Sequence, residues 1–87
     1  MDLFNEIIEY LKENNYKYKY KHSVFKNPMI IVKPLFGNKK NYVEIELLRT
    51  KRFIIRCIYG REQRKSIKTT QQEIITRMNE FIKEKTY

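Results

Sequence analysis

Residues 42–48 read Tyr42-Val43-Glu44-Ile45-Glu46-Leu47-Leu48, and residues 53–59 read Phe53-Ile54-Ile55-Arg56-Cys57-Ile58-Tyr59. In the first stretch apolar and acidic residues alternate. That period of two places successive side chains on opposite faces of a strand. The second stretch is rich in β-branched and aromatic residues, the types that fit a pleated surface. Only Arg49-Thr50-Lys51-Arg52 lies between them. A connection that short joins antiparallel neighbours, because a parallel pair needs a crossover of a dozen or more residues. With Glu46 set opposite Arg56, unlike charges meet on one face. Ile45 then faces Cys57 and Leu47 faces Ile55 on the other.

Working outward, residues 29–35 form another strand, which Pro34 ends or confines to an edge. Gly37-Asn38-Lys39-Lys40 turns the chain. Setting Lys33 opposite Glu44 brings Val32 against Ile45 and Ile30 against Leu47. Residues 16–25 begin with Tyr16-Lys17-Tyr18-Lys19-Tyr20-Lys21, a strand with Tyr on one face and Lys on the other. Asn27-Pro28 is the turn that follows it. Tyr16, Tyr18 and Tyr20 are expected to pack inward, with hydroxyls reaching the rim.

Both ends of the chain read as helices. Over residues 3–14, Leu3, Phe4, Ile7, Ile8 and Leu11 share one stripe. Asp2 is placed to cap this helix, Glu6 suits its first turn, and Asn14 and Asn15 suit its stop. Residues 60–68 are a basic connection with room for a short fifth strand. Thr70-Gln71-Gln72-Glu73 has the spacing of a capping box. The second helix runs to about Lys85, with Ile74, Ile75, Met78, Phe81 and Ile82 inward.

The expectation is one α+β domain over residues 1–87. It is a four-stranded antiparallel meander with both helices on one face, in the order α-β-β-β-β-α. Its inner face holds Ile30, Val32, Val43, Ile45, Leu47, Ile55, Cys57 and Tyr59. The other face is open.

The chain has 87 residues, with 19 Lys and Arg against 10 Asp and Glu, a net charge of +9. The charge is segregated. Residues 1–14 hold four acids and one Lys, and residues 73–87 hold three of each sign. Residues 15–72 hold fifteen bases and three acids, so the positive field belongs to the sheet and its loops. Such a surface attracts phosphate backbones and releases their counterions. The expected nucleic-acid contacts are Lys17, Lys19, Lys21, Arg49, Lys51, Arg52, Arg56, Arg61, Arg64, Lys65 and Lys68. Arg56 is first among them, because its guanidinium can fork onto phosphate or stack on a base. Lys33 lies on the same face, and Lys39 and Lys40 add charge from their turn.

The chemistry of the remaining residues is sparse. Cys57 and His22 are the only Cys and His, too few for a zinc site. The lone Cys excludes an internal disulfide, and with two glycines no Gly-rich phosphate loop exists. Glu44 and Glu46, two apart on one strand face, have the spacing of a divalent-metal site. With the Asn27-Pro28 turn before them they resemble the core of restriction-endonuclease-like nucleases, but the Lys expected after the second acid is missing. The helix–antiparallel sheet–helix order, with Arg64-Lys65-Ser66-Ile67-Lys68 before the last helix, resembles the double-stranded RNA-binding domain. That family has three strands and an Ala-rich last helix, whereas this chain has no Ala. The expectation is therefore a protein that is not an enzyme, with no cofactor and no metal.

The partner is expected to be nucleic acid, DNA or RNA, or a protein complex that handles it. The alternative is an inhibitor or adaptor of phage or mobile-element origin that binds a host protein, for example an anti-CRISPR or host-takeover protein. Its hot spots would be Ile31, Leu48, Ile54 and Ile58 on the open face, and the same face would suit a homodimer. The absence of Ala and the abundance of Lys, Ile and Asn fit an AT-rich genome. No apolar run approaches a membrane span and Asp2 sits where a signal peptide would be basic. A cytoplasmic location without membrane contact is expected.

Overall fold

A computed structural model of the chain describes residues 3–33 and 40–85. The element order is α1 (Asn5–Glu13), β1 (Tyr18–His22), β2 (Pro28–Val32), β3 (Asn41–Leu47), β4 (Phe53–Tyr59), β5 (Glu62–Lys68) and α2 (Gln71–Lys85). The strands form one antiparallel sheet in chain order, β1-β2-β3-β4-β5. The α+β class and the meander are as expected, but the sheet has five strands and not four. The fifth occupies the basic connection. Tyr59 pairs with Glu62, so Gly60 and Arg61 alone make the turn. Gly60 is its first residue at φ 62, where a two-residue hairpin turn of the II′ kind takes glycine.

The period-two faces are as the sequence predicts, but both expected registers are off by one pleat. Glu44, not Glu46, stands opposite Arg56, and Ile31, not Lys33, stands opposite Glu44. A slip of two residues leaves every side chain on its face. The physical reason on the β3–β4 side is Phe53, buried on the helix side of the sheet. The observed register sets Leu47 opposite it. The expected one would have set Arg49 there, under the helices. On the β2–β3 side, Asn27 rather than Lys33 reaches the acids of β3, donating to Glu46 Oε2 at 2.8 Å. Lys33 instead lies over the Tyr42 ring, 5.9 Å from its centroid.

The core lies between the sheet and the two helices. Phe4, Ile7 and Leu11 from the α1 side and Ile74, Ile75, Met78 and Phe81 from α2 pack on Ile30, Val32, Val43, Ile45, Phe53, Ile55 and Cys57. Tyr16 and Tyr18 are partly buried against this cluster as expected. Tyr20 is not: it touches Phe4 edge-on but is 52% exposed. It sits near the tip end of an edge strand, beyond the cover of α1.

The start of α1 is capped by a residue that local reading could not supply. Asp2 lies outside the described residues, and Phe4 at the cap position gives no side-chain bond. Gln71 Oε1 accepts the Glu6 and Ile7 amide N–H groups at 2.9 and 3.1 Å, and its amide donates to Asn5 Oδ1. One end of α2 thus satisfies two of the orphan donors of α1. At the other end Asn15 takes the left-handed conformation at φ 59, and the Tyr16 N–H returns to the Leu11 carbonyl at 2.9 Å. The predicted capping box of α2 forms: the Thr70 N–H donates to Glu73 Oε1 and the Glu73 N–H to Thr70 Oγ1. Pro34 and residues 37–39 of the predicted turn lie outside the described residues. Among the described residues no helix is long and apolar enough to cross a membrane.

Candidate nucleic-acid interface

The register arranges the outer face of the sheet in rows, one residue per strand. The middle row is Lys19, Ile31, Glu44, Arg56 and Lys65. The next, toward the β1–β2 turn, is Lys21, Met29, Glu46, Ile54 and Ile67. Cations therefore hold the β1 edge in both rows and the β5 edge in the middle row, with Ile67 at that edge in the next, and two acids with Arg56 hold the centre.

Arg56 is committed to those acids. Its Nη2 donates to Glu46 Oε1 at 2.9 Å, and its Nη1 lies 3.8 Å from Glu44 Oε1. Glu46 is only 2% exposed. Burial alone would push its carboxyl up. Hydrogen bonds from Asn27, Arg56 and Ser23, with the charge of Arg56, outweigh burial and hold it below the ordinary carboxylate value. The residue expected to be the central free contact is thus the counter-ion of a buried acid.

The other expected contacts divide. Arg64 lies opposite Cys57 on the helix side and is paired with Glu62 and Glu84, at 2.9 and 3.0 Å. Lys68, opposite Phe53, is on that side too and half-buried. The second patch is therefore split, with Lys65 alone on the open face and Arg61 in the β4–β5 turn. Lys17, Lys19, Lys21, Arg49, Lys51, Arg52, Arg61 and Lys65 are exposed, and none forms an ion pair among the described residues.

The apolar residues expected to be exposed are only partly so. Ile31 and Ile58 are 7% and 9% exposed, and Leu48 and Ile54 are half-buried. Lys17, Lys19 and Lys33 border the groove at Ile31, where their aliphatic stems shield it. Instead, among the described residues, the β1–β2 turn carries the most exposed apolar pair, Val24 at 91% and Phe25 at 73%. Reading residues 16–25 as strand hid this. The signal was present, since Ser23 and Asn27 bracket the pair as turn residues.

That turn is well anchored. The Ser23 N–H donates to the Asn27 carbonyl at 2.9 Å, and the Lys26 N–H to the Ser23 carbonyl at 2.8 Å. Ser23 Oγ accepts from the Phe25 and Asn27 amides. Lys26 takes φ 64 to close it. Between turn and sheet lies a cleft of about 300 Å³, lined by His22, Phe25, Met29, Glu44, Glu46 and Arg56 among others. By antiparallel topology the β3–β4 turn, with Arg49, Lys51 and Arg52, stands at the same end of the sheet.

Cys57 is buried, and burial pushes its thiol up, the opposite of an activated nucleophile. Among the described residues no three His, Cys, Asp or Glu side chains come together in a metal-binding group. No protein-family model matches the chain, and comparison with curated proteins and with solved structures finds no significant similarity.

Proposed function

We propose that this protein is a non-enzymatic nucleic-acid-binding module that uses the open face of its sheet and the adjoining turns. The observation that carries this reading is the segregation of exposed, unpaired cations. They lie along the β1 edge, at Lys65 on β5 and in the β3–β4 and β4–β5 turns, while the acids of α1 lie behind the sheet. A phosphate backbone approaching this side meets little competing negative charge, and release of its counterions favours contact. The competing reading, an inhibitor docking on a host protein through Ile31, Leu48, Ile54 and Ile58, has less to stand on. Ile31 and Ile58 are already covered within the chain.

The test is fluorescence anisotropy against single-stranded DNA, duplex DNA and duplex RNA at several salt concentrations. Binding with a log–log salt slope of about four phosphates or more is expected. Lys19→Ala/Lys21→Ala should weaken binding to every strand type that binds and shallow the slope by about one to two. No binding at low salt, or a slope unmoved by the double variant, overturns the proposal.

A further inference from the structure

The arrangement of the open face points to more than backbone attraction. We infer that it takes a single strand, with one unpaired base turned into the cleft beside Phe25. Glu44 reads that base by its N–H donors, and guanine is the base that fits. This rests on the nucleic-acid reading above.

Three features carry it. The first is the charge pattern. A uniformly basic face would accept a duplex backbone anywhere. Here the cations Lys19, Lys21 and Lys65 are at the edges and the carboxylates are central. Phosphates are drawn to the rim, while the centre, where Arg56 nearly balances the two carboxylates, gives them no such attraction, so what enters the middle is a base edge rich in donors. In a duplex those edges are paired.

The second is Phe25. An aromatic side chain 73% exposed on a turn fixed by five hydrogen bonds is not a fold requirement. Its ring borders the cleft, and an exposed ring is a platform on which any base stacks. Val24 beside it extends the apolar tip, and Lys21 and Lys26 flank it.

The third is the difference between the two acids. Glu46 is buried, with one oxygen taken by Asn27 and the other by Arg56. Glu44 is 22% exposed and lines the same cleft, and Arg56 at 3.8 Å stands beyond hydrogen-bond range. Its carboxylate therefore keeps acceptor capacity facing the cleft. Guanine presents a ring N–H and an amino group side by side, the match for two carboxylate oxygens. Adenine and cytosine offer an amino group beside a ring acceptor. Thymine and uracil offer one N–H between two carbonyls, which a carboxylate repels.

The experiment uses the full chain and oligothymidylates of about twelve nucleotides, a length within the usual single-strand site range. Each carries one central guanine, hypoxanthine, adenine or cytosine, and a duplex of the same length is the control. Hypoxanthine is guanine without the amino donor. The guanine strand is expected to bind about tenfold more tightly than all-thymine, and hypoxanthine should lose most of that gain. Phe25→Ala should weaken single-strand binding about tenfold while leaving the salt slope unchanged. Glu44→Gln should erase the guanine preference while leaving all-thymine binding equal or stronger, because a negative charge is gone. Loss of stability cannot mimic that last pattern. Equal affinity for all four bases, or indifference to Phe25→Ala, overturns this inference and leaves the nucleic-acid reading standing, as does preference for the duplex. No binding of any oligonucleotide overturns both. Phe25-dependent binding to anionic phospholipid vesicles without oligonucleotide binding does the same, and would make the tip a membrane probe.

Discussion

Replacing Arg56 with Met leaves Glu46 almost wholly out of water with its cation gone. Removing one partner of a fully buried pair costs about 3–5 kcal/mol. Arg56 is 22% exposed, and Asn27 and Ser23 still donate to the acid, so the expected loss at pH 7 is smaller, about 2–3 kcal/mol. For a domain of this size that lowers Tm by about 10–20 °C. The pH dependence gives the sharper test. In the natural chain the Glu46 carboxyl is held below its ordinary value. Its contribution is present above the unfolded pKa, about 4.3, and is lost as pH falls through the lower folded value. In Arg56→Met the guanidinium's bond and charge are absent and burial pulls the carboxyl back up. To the extent that it passes the unfolded value, its stabilisation lies below pH 4.3 and is lost as pH rises. The two chains should therefore differ most at neutral pH and converge toward pH 4. Urea unfolding of both at pH 7 and pH 4 measures this. A second variant, Arg56→Met/Glu46→Gln, removes the charge as well as its partner and should recover most of the loss at pH 7. A penalty below about 0.5 kcal/mol at pH 7, or one equal at both pH values, would refute the account of Glu46 as an ion held by Arg56.

Two further predictions concern the rest of the fold. Thr70→Ala should destabilise the chain by about 1 kcal/mol, measured by thermal unfolding, because the first turn of α2 loses its cap. In the same variant the Glu73 carboxyl, held down mainly by Thr69 and Thr70 hydroxyls, should titrate closer to its ordinary value by carbon-detected NMR. Cys57, 1% exposed with its thiol pushed up by burial, should react with a thiol reagent only as the chain unfolds. Rapid labelling of the native protein would contradict its place in the core.

The elements with an apolar period were legible. The stripe Phe4, Ile7 and Leu11, the alternation of β3 and the apolar run of β4 bury the side chains that their spacing assigns, except at the strand ends, where Leu47 is half-buried and Tyr59, expected inside, is 37% exposed. β5 was not, for a physical reason. Glu62-Gln63-Arg64-Lys65-Ser66-Ile67-Lys68 has no apolar alternation because it lies at the sheet edge, past most of the helix cover. Ion pairs fasten its inner side to α2, Arg64 to Glu84 and Glu62 to Lys85. Composition reads such a strand as a loop, and only the Gly60-Arg61 turn betrays it. Registers failed in a related way. Charge pairing alone cannot separate two alignments that differ by one pleat, whereas the demand that Leu47 and not Arg49 face Phe53 can. The Gln71 cap on α1 spans more than sixty residues of chain and has no local signature.

The candidate site shows what composition leaves out of account at the most conspicuous residue, Arg56, which is paired with Glu44 and Glu46. A guanidinium in the middle of a basic strand face looks like the obvious phosphate contact. Yet the same strand pair carries two acids, and one of them is buried. A buried ion pair contributes little net stability, since apolar residues of similar size hold a core as well or better. Residues such as Ile at positions 44 and 46 would also extend Ile31, Met29 and Ile54 into one continuous apolar patch, an aggregation liability. Lys there would make the face uniformly positive and indifferent to what it meets. The acids with Arg56 do neither. They keep the centre polar, nearly neutral and supplied with acceptors, while the edge lysines guard β1 against strand addition and, on the proposed reading, provide the attraction. On the proposed reading, affinity and selectivity are carried by different residues, so Glu44 and Lys19 can be varied independently and their effects told apart.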